Sequence, residues 1–100
     1  MKVQMHSLKF DADVKLVNLI QKKLDKLETF YDRIIDGEVY MKLDKDSDNG
    51  NKIIEILLNV PGNQIFAKEQ AESFEIAADT AVEALRRQIK KHKEKQISQR

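Results

Sequence analysis

The sequence predicts an α+β fold, a β-α-β-β-β-α two-layer sandwich with two helices on one face of a four-stranded sheet. Two stretches repeat apolar residues every three to four positions, and others alternate them every second position. The last three alternating stretches are separated only by tight clusters of Asp, Asn, Gly and Pro, so turns join those strands. No internal repeat or linker interrupts this order, and 100 residues make one domain over 1–100.

Val3 and Met5 alternate with Gln4 and His6, which gives a short first strand over residues 2–8. Asp13 or Asp11 then offers a side-chain acceptor to the free amides of a helix start. Val17, Ile20, Leu24, Leu27 and Tyr31 form one stripe along a helix over 14–31, with Lys15, Lys22 and Lys26 opposite and Lys23 at the rim. From Ile34 the period becomes two. Val39, Met41 and Leu43 share one face of a second strand, and Glu38, Tyr40 and Lys42 the other. Residues 44–51 bury almost nothing and are rich in turn formers, so they read as a hairpin loop. Ile54, Ile56, Leu58 and Val60 line one face of a third strand. Val60-Pro61-Gly62-Asn63 suits a type II turn, with Pro fixing one φ and Gly supplying a positive one. A fourth strand over 64–71 turns Ile65 and Ala67 inward and Phe66 and Lys68 outward. Ser73 caps a last helix whose stripe is Phe74, Ala77/Ala78, Ala81, Leu85 and Ile89. Helical propensity persists to about Lys95, although the stripe fades after Ile89. A helical crossover makes strands 1 and 2 parallel, and tight turns make strands 2 to 4 an antiparallel meander.

Composition narrows the function. The chain is 41% hydrophobic and 35% charged, enough for one core that folds without staples. It has no cysteine, which excludes disulfides, thiolate nucleophiles and the usual structural zinc sites. No strongly apolar run exceeds Ile56-Leu57-Leu58, and the first residues resemble no leader, so a cytoplasmic protein without membrane contact is expected. Catalysis finds little support: His6 and His92 are the only histidines, and neither a nucleophile elbow nor a glycine-rich phosphate loop exists. No cofactor, metal or small-molecule substrate is expected. Asp44, Asp46, Asp48 and Glu55 imitate the spacing of a calcium loop. Asn49 occupies the place of that loop's glycine, and strands flank it where helices are required, so a solvated hairpin loop is the better reading.

The net charge of +1 conceals a polarity. Residues 84–100 hold seven basic groups (Arg86, Arg87, Lys90, Lys91, Lys93, Lys95, Arg100) against Glu94, which is +6. The remaining 11 basic and 16 acidic groups give −5. Six cations within Arg86–Lys95 exceed what a helix dipole uses, so a polyanionic partner is favoured over a merely solvated helix end. On a helix, Arg86, Lys90 and Lys93 share the solvent side, Arg87 and Lys91 take one flank, and Lys95 lies near the rim. His92 continues the spacing of Leu85 and Ile89 and reads as a helix-edge residue. The lysines of helix 1 extend the basic strip. Tyr40 and Phe66 on the open sheet face offer rings for base stacking, although half-exposed sheet residues are the plainer reading.

The residues resemble those of the ribosome hibernation promoting factors, also called ribosome-associated inhibitors or sigma-54 modulation proteins. The likeness rests on Val60-Pro61-Gly62 with Ile65 and Ala67, on Ala77-Ala78-Asp79, and on Leu85-Arg86-Arg87-Gln88-Ile89-Lys90-Lys91-His92-Lys93. Lys22-Lys23-Leu24-Asp25-Lys26-Leu27-Glu28, with Phe30-Tyr31-Asp32, also fits. The resemblance spans nearly the whole chain and implies the same fold. It further implies binding to the small ribosomal subunit and its rRNA, in the channel for messenger and transfer RNA, with translation blocked in stressed or stationary-phase bacteria. Its implied RNA contacts are Lys22, Lys23 and Lys26, with Arg86, Arg87, Lys90, Lys91, His92 and Lys93. Ser7-Leu8-Lys9 departs from the glycine and basic or histidine residues of many members. Without a second domain the chain looks like a short form, expected to be monomeric when free. The competing readings are a general RNA-binding module of the double-stranded-RNA-binding type and a protein-interaction regulator of transcription.

Overall fold

Six elements follow the expected order: β1 (Lys2–Ser7), α1 (Val14–Phe30), β2 (Asp36–Leu43), β3 (Lys52–Val60), β4 (Asn63–Ala71) and α2 (Phe74–Ser98). The computed structural model describes residues 1–46 and 50–98, with side chains through Lys95. The strands form one sheet in the order β1-β2-β3-β4. β1 runs parallel to β2, and the two remaining pairings are antiparallel. One transverse row, Met5–Val39–Ile56–Ala67, crosses all four strands on the covered face.

The local signals act as their chemistry requires. The Asp13 side chain accepts from the Lys15 amide at 2.9 Å and caps α1, which decides between the two candidate aspartates. Ser73 Oγ accepts from the Ile76 amide at 3.1 Å at the start of α2. Gly62 takes φ +75°, the left-handed value that the Pro-Gly turn demands. Four boundaries move. β4 starts one residue early, at Asn63. β1 stops at Ser7, although the Leu8 amide still reaches the Met41 carbonyl at 3.0 Å. α1 stops at Phe30 because Tyr31 adopts extended backbone, and α2 continues to Ser98.

Both helical stripes meet the same sheet face. Ile20, Leu24 and Leu27 of α1, and Ala77, Ala78, Ala81, Leu85 and Ile89 of α2, are buried against Val39, Met41, Ile54, Ile56, Leu58, Val60, Ile65 and Ala67. Each large aliphatic side chain so buried contributes roughly 1.5–3 kcal/mol. Alanines at three successive contact positions let α2 approach the sheet closely. Among the described side chains the buried stripe ends at Ile89, while α2 runs on to Ser98, and the molecule is 48 Å along its longest axis.

The acidic stretch between β2 and β3 is a hairpin connection. The Asp44 amide bonds the Asn51 carbonyl at 2.8 Å, and Gln70 of β4 donates to Asp44 Oδ2 and to the Gly50 carbonyl. Asp48 and Asn49, which entered the calcium-loop comparison, lie outside the described residues; the flanking elements are strands. Replacing Leu85, which is fully buried between helix and sheet, should be costly. Leu85→Ala is expected to lower unfolding free energy by about 2–5 kcal/mol, read as a reduced urea midpoint with unchanged m.

Candidate nucleic-acid interface

The two helices lie side by side and run in the same direction. Lys23 of α1 pairs with Asp79 of α2, and Phe30, seven residues further along α1, meets Arg86, seven residues further along α2. Seven residues are about two helical turns, so the helices stay in step. Between them run two connected grooves. The first, of about 760 Å³, is bounded by Lys23, Lys26 and Phe30 on one wall and Asp79, Glu83 and Arg86 on the other. The second, of about 590 Å³, continues along α2 past Phe30, Arg86, Arg87, Lys90, Lys93 and Glu94.

Charge is graded along α2. Its exposed N-terminal half carries Glu75, Asp79 and Glu83, and its C-terminal half carries the basic run. That order complements the helix macrodipole. Parallel neighbours also bring the partly negative C-terminal end of α1 against α2, yet the last turn of α1 holds no cation of its own. Arg86 and Lys93 from α2 supply it: their charged groups lie 4.8 and 4.5 Å from the centre of the Phe30 ring. Lys93 Nζ also donates to the Phe30 carbonyl at 3.2 Å.

The expected contact residues therefore divide. Lys22, Lys26, Arg87, Lys90 and Lys91 are exposed, and their side chains form no hydrogen bond or ion pair among the described residues. Arg86 is exposed but leans on Phe30. Lys23 is half-buried and already paired with Asp79. Lys93 does not share the open solvent side expected of it: it is half-buried against the end of α1. Lys91 and His92 turn the other way, toward a shallow depression shared with Asn63, Gln64, Ile65, Gln88 and Lys95. The His92 ring meets Tyr31 edge-on at 5.9 Å and 82°, as a helix-edge residue would.

Sequence reading missed two side chains. Gln88, inside the basic run, reaches back to the outer strand β4: its Nε2 donates to the Phe66 carbonyl at 2.8 Å and its Oε1 accepts the Phe66 amide at 3.3 Å. Phe30 entered only as part of a motif, although it follows Lys26 by four residues and Lys23 by seven, which places all three on one helix edge. The open sheet face is a poor rival surface. Tyr40 stacks on His6 at 4.7 Å, so one ring face is covered. Its hydroxyl donates to Glu38, and that bond, with desolvation and the charges of Glu38 and Glu55, raises the phenol above its ordinary pKa. Carboxylates beside the ring disfavour a phosphate there.

A groove lined by Arg86, Arg87, Lys90 and Lys93 thus lies beside a body of net charge −5 over residues 1–83, on a protein of the two-helix, four-strand class. The family described as Sigma 54 modulation protein / S30EA ribosomal protein matches residues 3–97, and this chain belongs to it. A ribosome hibernation promoting factor of Pseudomonas putida is 32% identical over 98 residues, covering 98% of this chain and 92% of that protein. A ribosomal subunit interface protein from Coxiella burnetii superposes with TM-score 0.84 at 25% identity, over 93% of this chain and 98% of its own. The Thermus thermophilus Protein Y N-terminal domain shares the fold, with TM-score 0.78 at 22% identity over 92% and 99% of the two chains. Members of this family are binding proteins rather than enzymes. Among the described residues, no helix is long and apolar enough to cross a membrane.

The Lys23–Asp79 pair is partly exposed and holds a cation back from solvent. Asp79→Ala is expected to change stability by no more than about 1 kcal/mol. It should also release Lys23 and delay elution from immobilised heparin to higher salt.

Proposed function

We propose that this chain binds the small ribosomal subunit in the channel for messenger and transfer RNA, through the basic faces of α1 and α2. Occupying that channel inhibits translation and keeps ribosomes inactive under stress or in stationary phase, in the cytoplasm. Family membership and the relatives' names support a ribosomal partner. The observation that carries the surface assignment is the set of exposed cations without a partner among the described residues: Arg87, Lys90 and Lys91 on α2, with Lys22 and Lys26 on α1. An exposed cation with no carboxylate of its own gains most from a phosphate, because no existing pair must be broken.

The chemistry is recognition of a folded RNA by charge and shape. Each phosphate neutralised releases condensed counterions, and little reading of bases is needed. Two helices fixed in step present cations at set intervals, which suits a structured backbone better than a flexible strand. The body of the protein, at −5 over residues 1–83, repels RNA elsewhere and favours a single docking orientation.

Ribosome pelleting together with cell-free translation tests the reading. The wild-type chain should pellet with intact ribosomes in preference to naked duplex RNA at equal salt, and should inhibit translation in the same sample. Equal binding to duplex RNA would favour a general RNA-binding module, and binding independent of RNA a protein-interaction role. Replacing Arg87, Lys90 and Lys91 together by Ala should flatten the salt dependence of ribosome binding by about 2–3 in log–log slope. Stability should stay within about 0.5 kcal/mol, because these side chains are exposed. An unchanged slope would remove the surface assignment.

A further inference from the structure

We infer that Lys93 is a positioning residue: it pins α2 to the end of α1 through the Phe30 carbonyl and ring, and so aims the neighbouring cations without contacting RNA itself. The inference deepens the ribosome-binding reading above and rests on it only for the RNA measurement.

Three observations carry it. Phe30 is the final residue of α1, and its carbonyl is one of the four that a helix leaves without an internal N–H partner. Lys93 Nζ takes that carbonyl at 3.2 Å from 63 residues away, while its ammonium also lies 4.5 Å from the centre of the Phe30 ring. The hydrocarbon stem covers the groove wall, which leaves Lys93 half-buried where Lys90 and Lys91 are exposed. The site is also electrostatically matched, since the last turn of α1 has no basic residue. A phosphate contact would require Lys93 to leave a carbonyl, a helix-dipole end and an aromatic face together. Lys90, one turn earlier on the same helix, gives up nothing.

Among the described side chains the pin acts past the last fully buried residue of α2, Ile89, where His92 on Tyr31 and Lys93 on Phe30 are contacts to the end of α1. Without Lys93 the free end of α2 would open more often, which weakens RNA binding while the bound state still contacts the same number of phosphates.

Two single variants and one labelling experiment on the wild-type chain test this. Lys93→Met keeps most of the stem and removes the charge and donor. It is expected to lower Tm by about 4–8 °C and to speed amide exchange at the end of α2, while the salt slope of ribosome binding stays that of wild type. Lys90→Ala should do the reverse, leaving Tm in place and flattening the slope by about 0.7–0.9. Lys93→Arg, which keeps a donor and a cation, should recover most of the lost Tm. In the free wild-type chain, an amine-directed acylating reagent should modify Lys93 several-fold more slowly than Lys90. Lys93→Met that flattens the slope as Lys90→Ala does, or leaves Tm unchanged, would overturn the inference, as would equal labelling of the two lysines. The Tm and labelling readouts need no ribosome, so they separate failure of the pin from failure of the ribosomal reading.

Discussion

Both helices must bury their apolar stripes on the same face of one sheet, and the rest of the molecule depends on that constraint. A four-stranded sheet has room for two helices only if they lie flank to flank. The helical crossover after β1 and the short link after β4 start both helices from the same side, so they run parallel. Parallel helices place their like dipole ends together, an arrangement that needs cations at the C-terminal side. The basic end of α2 meets this need at Phe30 and has cations left over. One charge cluster therefore has two addresses, the end of α1 and the solvent.

Periodicity made the fold legible. The element order, the parallel and antiparallel pairings, the inward residues of β3 and β4 and the stripe of α2 all follow from spacing, because burial selects one face of every element. What escaped was held by other forces. The end of α2 past Ile89 shows no stripe in the sequence, and its described contacts there include a histidine edge on Tyr31 and a lysine stem on Phe30, 61 and 63 positions earlier in the chain. Gln88 looked like a spacer between arginines and isoleucine, and only the folded chain reveals a strand within its reach. The basic residues were recognisable as a set. Their division into exposed, paired and pinned members was not, because Lys23 and Lys93 owe their positions to Asp79 and Phe30 across a groove that exists only after folding.

The two sheet faces also differ in chemistry. The helical side combines a groove, cations and an aromatic ring. The open side hydrogen-bonds Tyr40 to Glu38 and pairs Lys42 with Glu55, which places carboxylates at its centre. Near-neutrality of the whole chain thus arises from unlike surfaces rather than from an even mixture, and an approaching polyanion meets a field that changes sign around the molecule.

The amide of Gln88 has a consequence of a different kind. β4 is an outer strand, and an outer strand ordinarily offers a row of unsatisfied backbone groups on which another chain can extend the sheet. At Phe66 both backbone groups are taken by a single side chain of α2. An incoming strand would have to displace that side chain at the middle of the row, where a growing ladder needs continuity most. The residue that interrupts the basic run thereby occupies the middle of this edge, at a point where a pairing strand would otherwise bond.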